Sequence, residues 1–199
     1  MDLIRALGPW SRTLDEALTT VDCIGEYVKK NSLSPTPGIK KVLQAVIAAE
    51  DHRYLKHHGV DWIAVFRVFA RYMLKGEISG GSTIEQQLVR TIRQRYEFTI
   101  RRKLSEMAIA MIVGHRVLKD DVIMTYISVA YFGWQATGIV QAAIRLGIRL
   151  NSANEREAAT LAAMLKIPMP RYPSEEYAAR LARRISYIRK RIELTEPRG

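Results

Sequence analysis

Apolar residues at Ile39, Val42, Leu43, Val46 and Ile47 recur at the three- and four-residue spacing of a helix, and the run continues through Ala48 and Ala49 into two adjacent carboxylates, Glu50 and Asp51. That period returns along most of the chain, and no stretch sustains the apolar–polar alternation of a strand, so a mainly α fold is expected. Ser11 is placed to cap a helix carrying Leu14, Leu18, Val21 and Ile24, and 31–38, with Ser, Pro and Gly, is expected to be a linker. The helix through Ile39 is expected to end near His57 to Gly59. Further helices are expected over about 60–75, from Thr83, and over about 98–118, 120–132, 139–148 and 156–166. Pro168, Pro170 and Pro173 then break the chain before a final basic helix. Ser82 to Glu85 and Ser152 to Glu155 both have the spacing of a capping box.

The 199 residues suffice for one well-filled core, or one core with a small lobe. At 48% apolar residues, the chain is not disordered. The lone cysteine, Cys23, excludes an internal disulfide and any multi-cysteine metal site, and is expected to be a small core residue. A net charge of +11 calls for an anionic partner: nucleic acid, an acidic membrane surface or a phosphate-bearing substrate. No stretch reaches the length of a membrane-spanning helix, and the opening ten residues are too short and interrupted for a secretory signal. With no anchor or signal peptide visible, any membrane contact is expected to be peripheral.

Four constellations can carry chemistry. Glu50 sits where an apolar helix leaves the core, a place where a carboxylate can have a raised pKa and serve as acid or base. Asp51 points about 100° away from it, so the two do not form a facing pair; a solvated helix end is the commoner outcome. Gly80-Gly81-Ser82-Thr83 opens onto a helix N-terminus, a natural anion seat, and Thr83 and Gln87 share a helical face. The Lys-Ser/Thr ending of a phosphate-binding P-loop is absent, and an ordinary loop and cap is the alternative. Arg90, Arg93 and Arg95 precede Arg101-Arg102-Lys103, with Glu106 four residues after Arg102. This is a cationic wall for phosphate or pyrophosphate with Glu106 setting its geometry, or a solvated basic face. Aromatic residues are not interleaved with these cations, so nucleic acid is not expected. Finally, Trp62 to Lys75 is almost wholly apolar apart from a stripe of Arg67, Arg71 and Lys75, as in a helix that is half core and half membrane interface, or a core helix with one wet stripe.

Taken in order, these elements resemble the peptidoglycan glycosyltransferases of glycosyltransferase family 51, the polymerase module of penicillin-binding proteins and monofunctional transglycosylases. The resemblance rests on Glu50-Asp51 with Tyr54, His57 and Gly59; on Gly81-Ser82-Thr83-Ile84 with Gln86-Gln87; and on Arg102-Lys103 with Glu106. It continues through Tyr126-Ile127-Ser128 with Tyr131-Phe132-Gly133, and through Glu157-Ala158-Ala159 to Leu165, Pro168, Tyr172 and Pro173. It runs from about Ile39 to Pro173. Arg90-Thr91 stands where the family usually has Lys-Asn, and Ile127-Ser128 where it usually has Leu-Asn.

The resemblance implies a lysozyme-like helical domain with a small, mobile, membrane-proximal lobe. It places a catalytic domain at 38–174; beside it, 1–37 is expected to be a helix and linker of unassigned role and 175–199 a basic helix packed on that domain. It implies polymerisation of lipid II into glycan strands with release of undecaprenyl pyrophosphate. Glu50 would be the general base and Glu106 the second catalytic carboxylate. Asp51, His57, Ser82, Thr83, Gln86, Gln87, Arg90, Arg102 and Lys103 would contact substrate, with Arg102 and Lys103 at the pyrophosphate. No cofactor is required and no protein metal ligands are assigned, although a divalent cation, magnesium or manganese, assists some members at the pyrophosphate. The implied setting is the bacterial cell envelope, at the outer face of the cytoplasmic membrane. The implied partners are lipid II, the growing strand, an anionic membrane surface and other cell-wall synthesis proteins. Two rivals remain: a lysozyme-like peptidoglycan hydrolase, and a non-catalytic module binding lipid II or anionic membranes.

Overall fold

The structure, a computed structural model, describes residues 9–30, 34–76, 80–97 and 99–195. The expected helix start at Phe98, and parts of the expected linker at 31–38 and loop at 76–81, lie outside them. The fold is mainly α. In chain order come α1 (Pro9–Lys30), α2 (Pro37–Glu50), a 3-10 turn at Tyr54–Lys56, α3 (Trp62–Lys75), α4 (Ile84–Arg93), α5 (Ile100–Arg116) and α6 (Lys119–Val129). A short antiparallel hairpin follows, β1 (Tyr131–Gly133) and β2 (Ala136–Thr137). The chain ends with α7 (Ile139–Leu146), a 3-10 turn at Leu150–Ser152, α8 (Glu155–Met164) and α9 (Glu175–Thr195).

The chain divides into two compact units, one of 1–32 with 53–125, the other of 33–52 with 126–199. In the first, α5 packs against α1 and α4. Ile84, Leu88, Val89, Ile109, Ala110 and Val113 are buried there. Arg93 ties α4 to both neighbours, donating to Glu16 on α1 and, at 3.2 Å, to Ser105 on α5. Before α3, the Asp61 carboxylate accepts from the backbone of Ile63 and Ala64 and from Arg53 Nε at 3.0 Å, fixing where that helix starts. Tyr54 is buried, its hydroxyl donating to Lys119 O at 2.7 Å, with the Lys119 ammonium 4.1 Å from its ring centroid and paired with buried Glu85.

In the second unit, α2, α8 and α9 pack on one another. Small residues on α8 (Ala158, Ala159, Ala162, Ala163) meet the apolar stripe of α2, where Ile39, Val42, Ala45 and Val46 are buried. Pro37 preorganises the first turn of α2 beside the Thr36 cap. Gly133 has φ +139, and an added Cβ would lie 2.4 Å from Met169 N, because Met169 bridges to β1.

Several expected boundaries move. α2 ends at Glu50, with Asp51 as its C-cap, rather than near His57 to Gly59. α6 stops at Val129 and Tyr131 to Gly133 is a strand. Ser11 lies inside α1 rather than capping it. Thr83, not Ser82, caps α4, accepting from Gln86 N, while Glu85 turns to Lys119. Asn154, not Ser152, forms the second capping box, with Glu157. Cys23 is exposed rather than in the core. α3 is not a core helix: Ala64 is its one buried residue, while Trp62, Ile63, Phe66, Phe69, Met73 and Leu74 are all exposed.

Candidate active site

The first unit builds a cationic cluster from the bottom up. Thr99 caps α5, so the first turns of that helix carry Arg102, Lys103 and, one turn on, Glu106 on one face. α4 packs alongside and brings Arg90 and Gln86 to the same place. Glu106 is the hub, only 2% of its side chain being exposed. Arg90 grips it with two bonds, Nε to Oε2 and Nη2 to Oε1, both 3.0 Å. Arg102 Nη1 donates to Oε2, and Lys103 Nζ to Oε1 at 2.8 Å. Lys103 also donates to Ser82 Oγ at 3.0 Å and to Gln86 Oε1, engaging all three ammonium protons.

Three cations around one carboxylate leave the cluster net positive, and its outer members remain open to solvent: Arg90 is 30% and Lys103 35% exposed. Burial pushes the Glu106 carboxyl up, but the bonds from Arg90 and Lys103 outweigh it and hold the group below its usual range. Lys103 moves below its usual range because burial outweighs the attraction of Glu106. Glu106 is thus held as an anion between three cations and fixes where they stand. An anion reaching Arg90, Arg102 and Lys103 would meet positive charge that is already fixed in place.

Two other expected site residues in this unit, Thr83 and His57, are buried. Thr83 is 1% exposed, and its hydroxyl donates to Gly59 O at 2.6 Å while accepting the α4 cap bond. That hydroxyl braces the loop before α3. His57 is buried with its ring edge-on to Tyr54, centroids 6.3 Å apart.

The second unit holds Glu50 and Asp51. Glu50 is the last residue of α2, its side chain 13% exposed. Arg184 of α9 donates from Nη2 to Glu50 Oε1 at 3.2 Å and to Ala49 O at 2.7 Å. Asp51 is buried at the helix end, its backbone N–H closing the last turn onto Ile47 O. Arg184 was missed in the sequence because its partner lies 134 residues away and it stands in a helix crowded with basic residues.

The first unit thus carries a fixed cationic cluster and the second a largely shielded carboxylate at a helix end, features that enzymes use for anions and for protons. The comparisons narrow this. A family model described as transglycosylase matches residues 17–193. The chain is 33% identical over 145 residues to penicillin-binding protein 1A of Escherichia coli, covering 70% of this chain and 17% of that protein. It is 33% identical over 165 residues to the biosynthetic peptidoglycan transglycosylase of Nitrosospira multiformis (82% of this chain, 69% of the relative), and 36% over 157 residues to that of Methylobacillus flagellatus (77% and 67%). The chain belongs to the transglycosylase family. It spans less than a fifth of penicillin-binding protein 1A and about two thirds of the biosynthetic transglycosylases.

Proposed function

We propose that the chain is a peptidoglycan glycosyltransferase that polymerises lipid II into glycan strands. The observation that carries the reading is the cluster on Glu106: a cation set fixed before substrate arrives is what a pyrophosphate leaving group requires. A hydrolase releasing no pyrophosphate has no use for it. In the proposed reaction Glu50 takes the proton from the acceptor sugar's 4-hydroxyl. That oxygen bonds to the donor's anomeric carbon as the bond from that carbon to undecaprenyl pyrophosphate breaks. The electron pair leaves with the pyrophosphate, whose charge is met by Arg90, Arg102 and Lys103. A divalent cation held by the chain does not fit this cluster, since both Glu106 oxygens already accept from cations. No step is routed through one. The relatives named as biosynthetic peptidoglycan transglycosylases support the same substrate class.

The test is incubation with lipid II. Wild type is expected to yield long strands and Glu50→Gln to yield fewer by about 1,000-fold while still binding lipid II, as expected for loss of a general base. Strand formation undiminished in Glu50→Gln, or soluble fragments released from purified cell wall by wild type, overturns the reading.

The features of α3 support a membrane-surface setting. Trp62, Phe66, Phe69 and Met73 recur at helical spacing and are each at least 60% exposed, flanked by Arg67, Arg71 and Lys75. Such a helix suits the interface of an anionic membrane, aromatic side chains inward and cations at headgroups. Among the described residues no helix is long and apolar enough to cross a membrane. Replacing both Phe66 and Phe69 by Ser is expected to weaken binding to phosphatidylglycerol vesicles by at least about 100-fold, since each buried phenyl ring contributes about 1.5–3 kcal/mol. Unchanged co-sedimentation of that variant rejects α3 as the contact.

A further inference from the structure

Glu50 closes α2, and the last turn of a helix is a poor place for an anion. The dipole presents its negative end there, and the final carbonyls have no partner within the helix. Both problems meet one answer 134 residues on. Arg184 Nη2 reaches Ala49 O at 2.7 Å and Glu50 Oε1 at 3.2 Å, so one nitrogen ties the side chain to its own backbone. The guanidinium also lies 5.2 Å over the Tyr187 ring one turn along α9, which limits its swing.

This arginine is a poor stabiliser. Its side chain is 15% exposed, and its Nε is buried without a hydrogen-bond partner. A buried, incompletely satisfied cation costs stability, and an apolar residue would suit a packed helix face better. Retaining a guanidinium there makes sense if the carboxylate must be held in one orientation. A general base works only where its oxygen meets the proton, and displacement by an ångström can cost two orders of magnitude.

We propose that Arg184 is a positioning residue that fixes the Glu50 carboxylate for proton abstraction, a proposal that rests on Glu50 being the general base. The experiment follows strand synthesis from lipid II in phosphatidylglycerol vesicles for wild type, Glu50→Gln, Arg184→Gln, Arg184→Lys and Arg183→Gln. Arg183, the exposed neighbour on α9, controls for loss of one positive charge.

The expected result is a kcat lower by about 10- to 100-fold in Arg184→Gln with KM within about twofold of wild type. Lys at 184 keeps the charge but not the fork, and is expected to recover part of that loss, to about a third of wild-type kcat. Arg183→Gln keeps wild-type kcat and KM. If Glu50→Gln is inactive while Arg184→Gln retains wild-type kcat, or loses rate through KM alone, the positioning role is overturned and the base remains. If Glu50→Gln is as active as wild type, the base reading itself falls, and the positioning role with it. Should Arg184→Gln fail to fold, Arg184→Lys carries the test: a reduced kcat at an unchanged melting temperature supports the proposal, and wild-type kcat overturns it.

Discussion

Alanine at Gly114 is expected to unfold the first unit, although alanine in the middle of a helix usually stabilises by about 0.5–1 kcal/mol. The sign reverses here because of what the added methyl would meet. Gly114 lies in α5, and its Cβ would stand 2.5 Å from Gly59 N and 2.6 Å from His58 C. Gly59 returns the constraint: at φ +85 its own Cβ would be 1.9 Å from Ala110 O. These neighbours are backbone atoms, so no rotamer change relieves either clash, and the loop must leave the helix. Loss of more than about 3 kcal/mol is expected at each position, at the severe end for overpacking plus strain at a positive φ. Gly25 of α1 supplies the contrast, since nothing lies within 4 Å of its would-be Cβ. Gly25→Ala is expected to raise stability by the ordinary helix increment. Denaturant unfolding of the three variants checks this, and Gly114→Ala as stable as wild type would show that the loop and helix are not in such contact. The same contact explains Thr83, whose hydroxyl holds Gly59 O from the other side.

Glu106→Ala is expected to remove both the anion site and much of the stability around it. It leaves Arg90, Arg102 and Lys103 crowded together with their shared counter-charge gone. Breaking a buried ion pair by deleting one partner typically costs about 3–5 kcal/mol, and this carboxylate serves three. Strand synthesis is expected to fall by more than about 100-fold, because the cations lose the orientation that lets them meet developing charge. Glu106→Gln keeps one acceptor oxygen and is expected to fall between. The acid dependence separates this from a general loss of packing. The Glu106 carboxyl is held below its usual value in the folded protein, so as pH falls the unfolded chain takes up the proton first. Its contribution is fully present above about pH 4.3, the value for an unperturbed glutamate, and is lost as pH drops through the lowered folded-state value. The melting temperature of wild type is therefore expected to fall more steeply below about pH 4 than that of Glu106→Gln. Parallel slopes for the two proteins would contradict the network. Lys103 acts in the opposite window. Its folded-state value is depressed by burial, so the unfolded chain holds that proton longer and stability rises with pH on the alkaline side.

Helix identity was legible because its cause is local. The 3.6-residue repeat of Ile39, Val42, Val46 and its counterparts marks each apolar face wherever the helix finally packs. Boundaries were less legible. Around both Thr83 and Asn154 several short polar residues compete to cap, and the winner is set by which one the neighbouring backbone leaves in the right geometry. Lys119 recruits Glu85 away from its expected capping box in the same manner. Exposure was the least legible property. The apolar density of Trp62 to Leu74 fits a core helix equally well, and Cys23 is of a type usually buried, yet both face outward.

By itself the sequence determined the helical fold, the run of apolar residues leading into Glu50, and the spacing of Arg102, Lys103 and Glu106 one turn apart, all of which follow from spacing along a single chain segment; the ordered motifs carried the resemblance to the family. Only the tertiary structure decided that Arg90 and Arg102 share one buried Glu106, that Thr83 braces Gly59, and that Arg184 holds Glu50. Such pairings join residues from 4 to 134 positions apart, and the distant ones are chosen by helix packing, which no local pattern encodes.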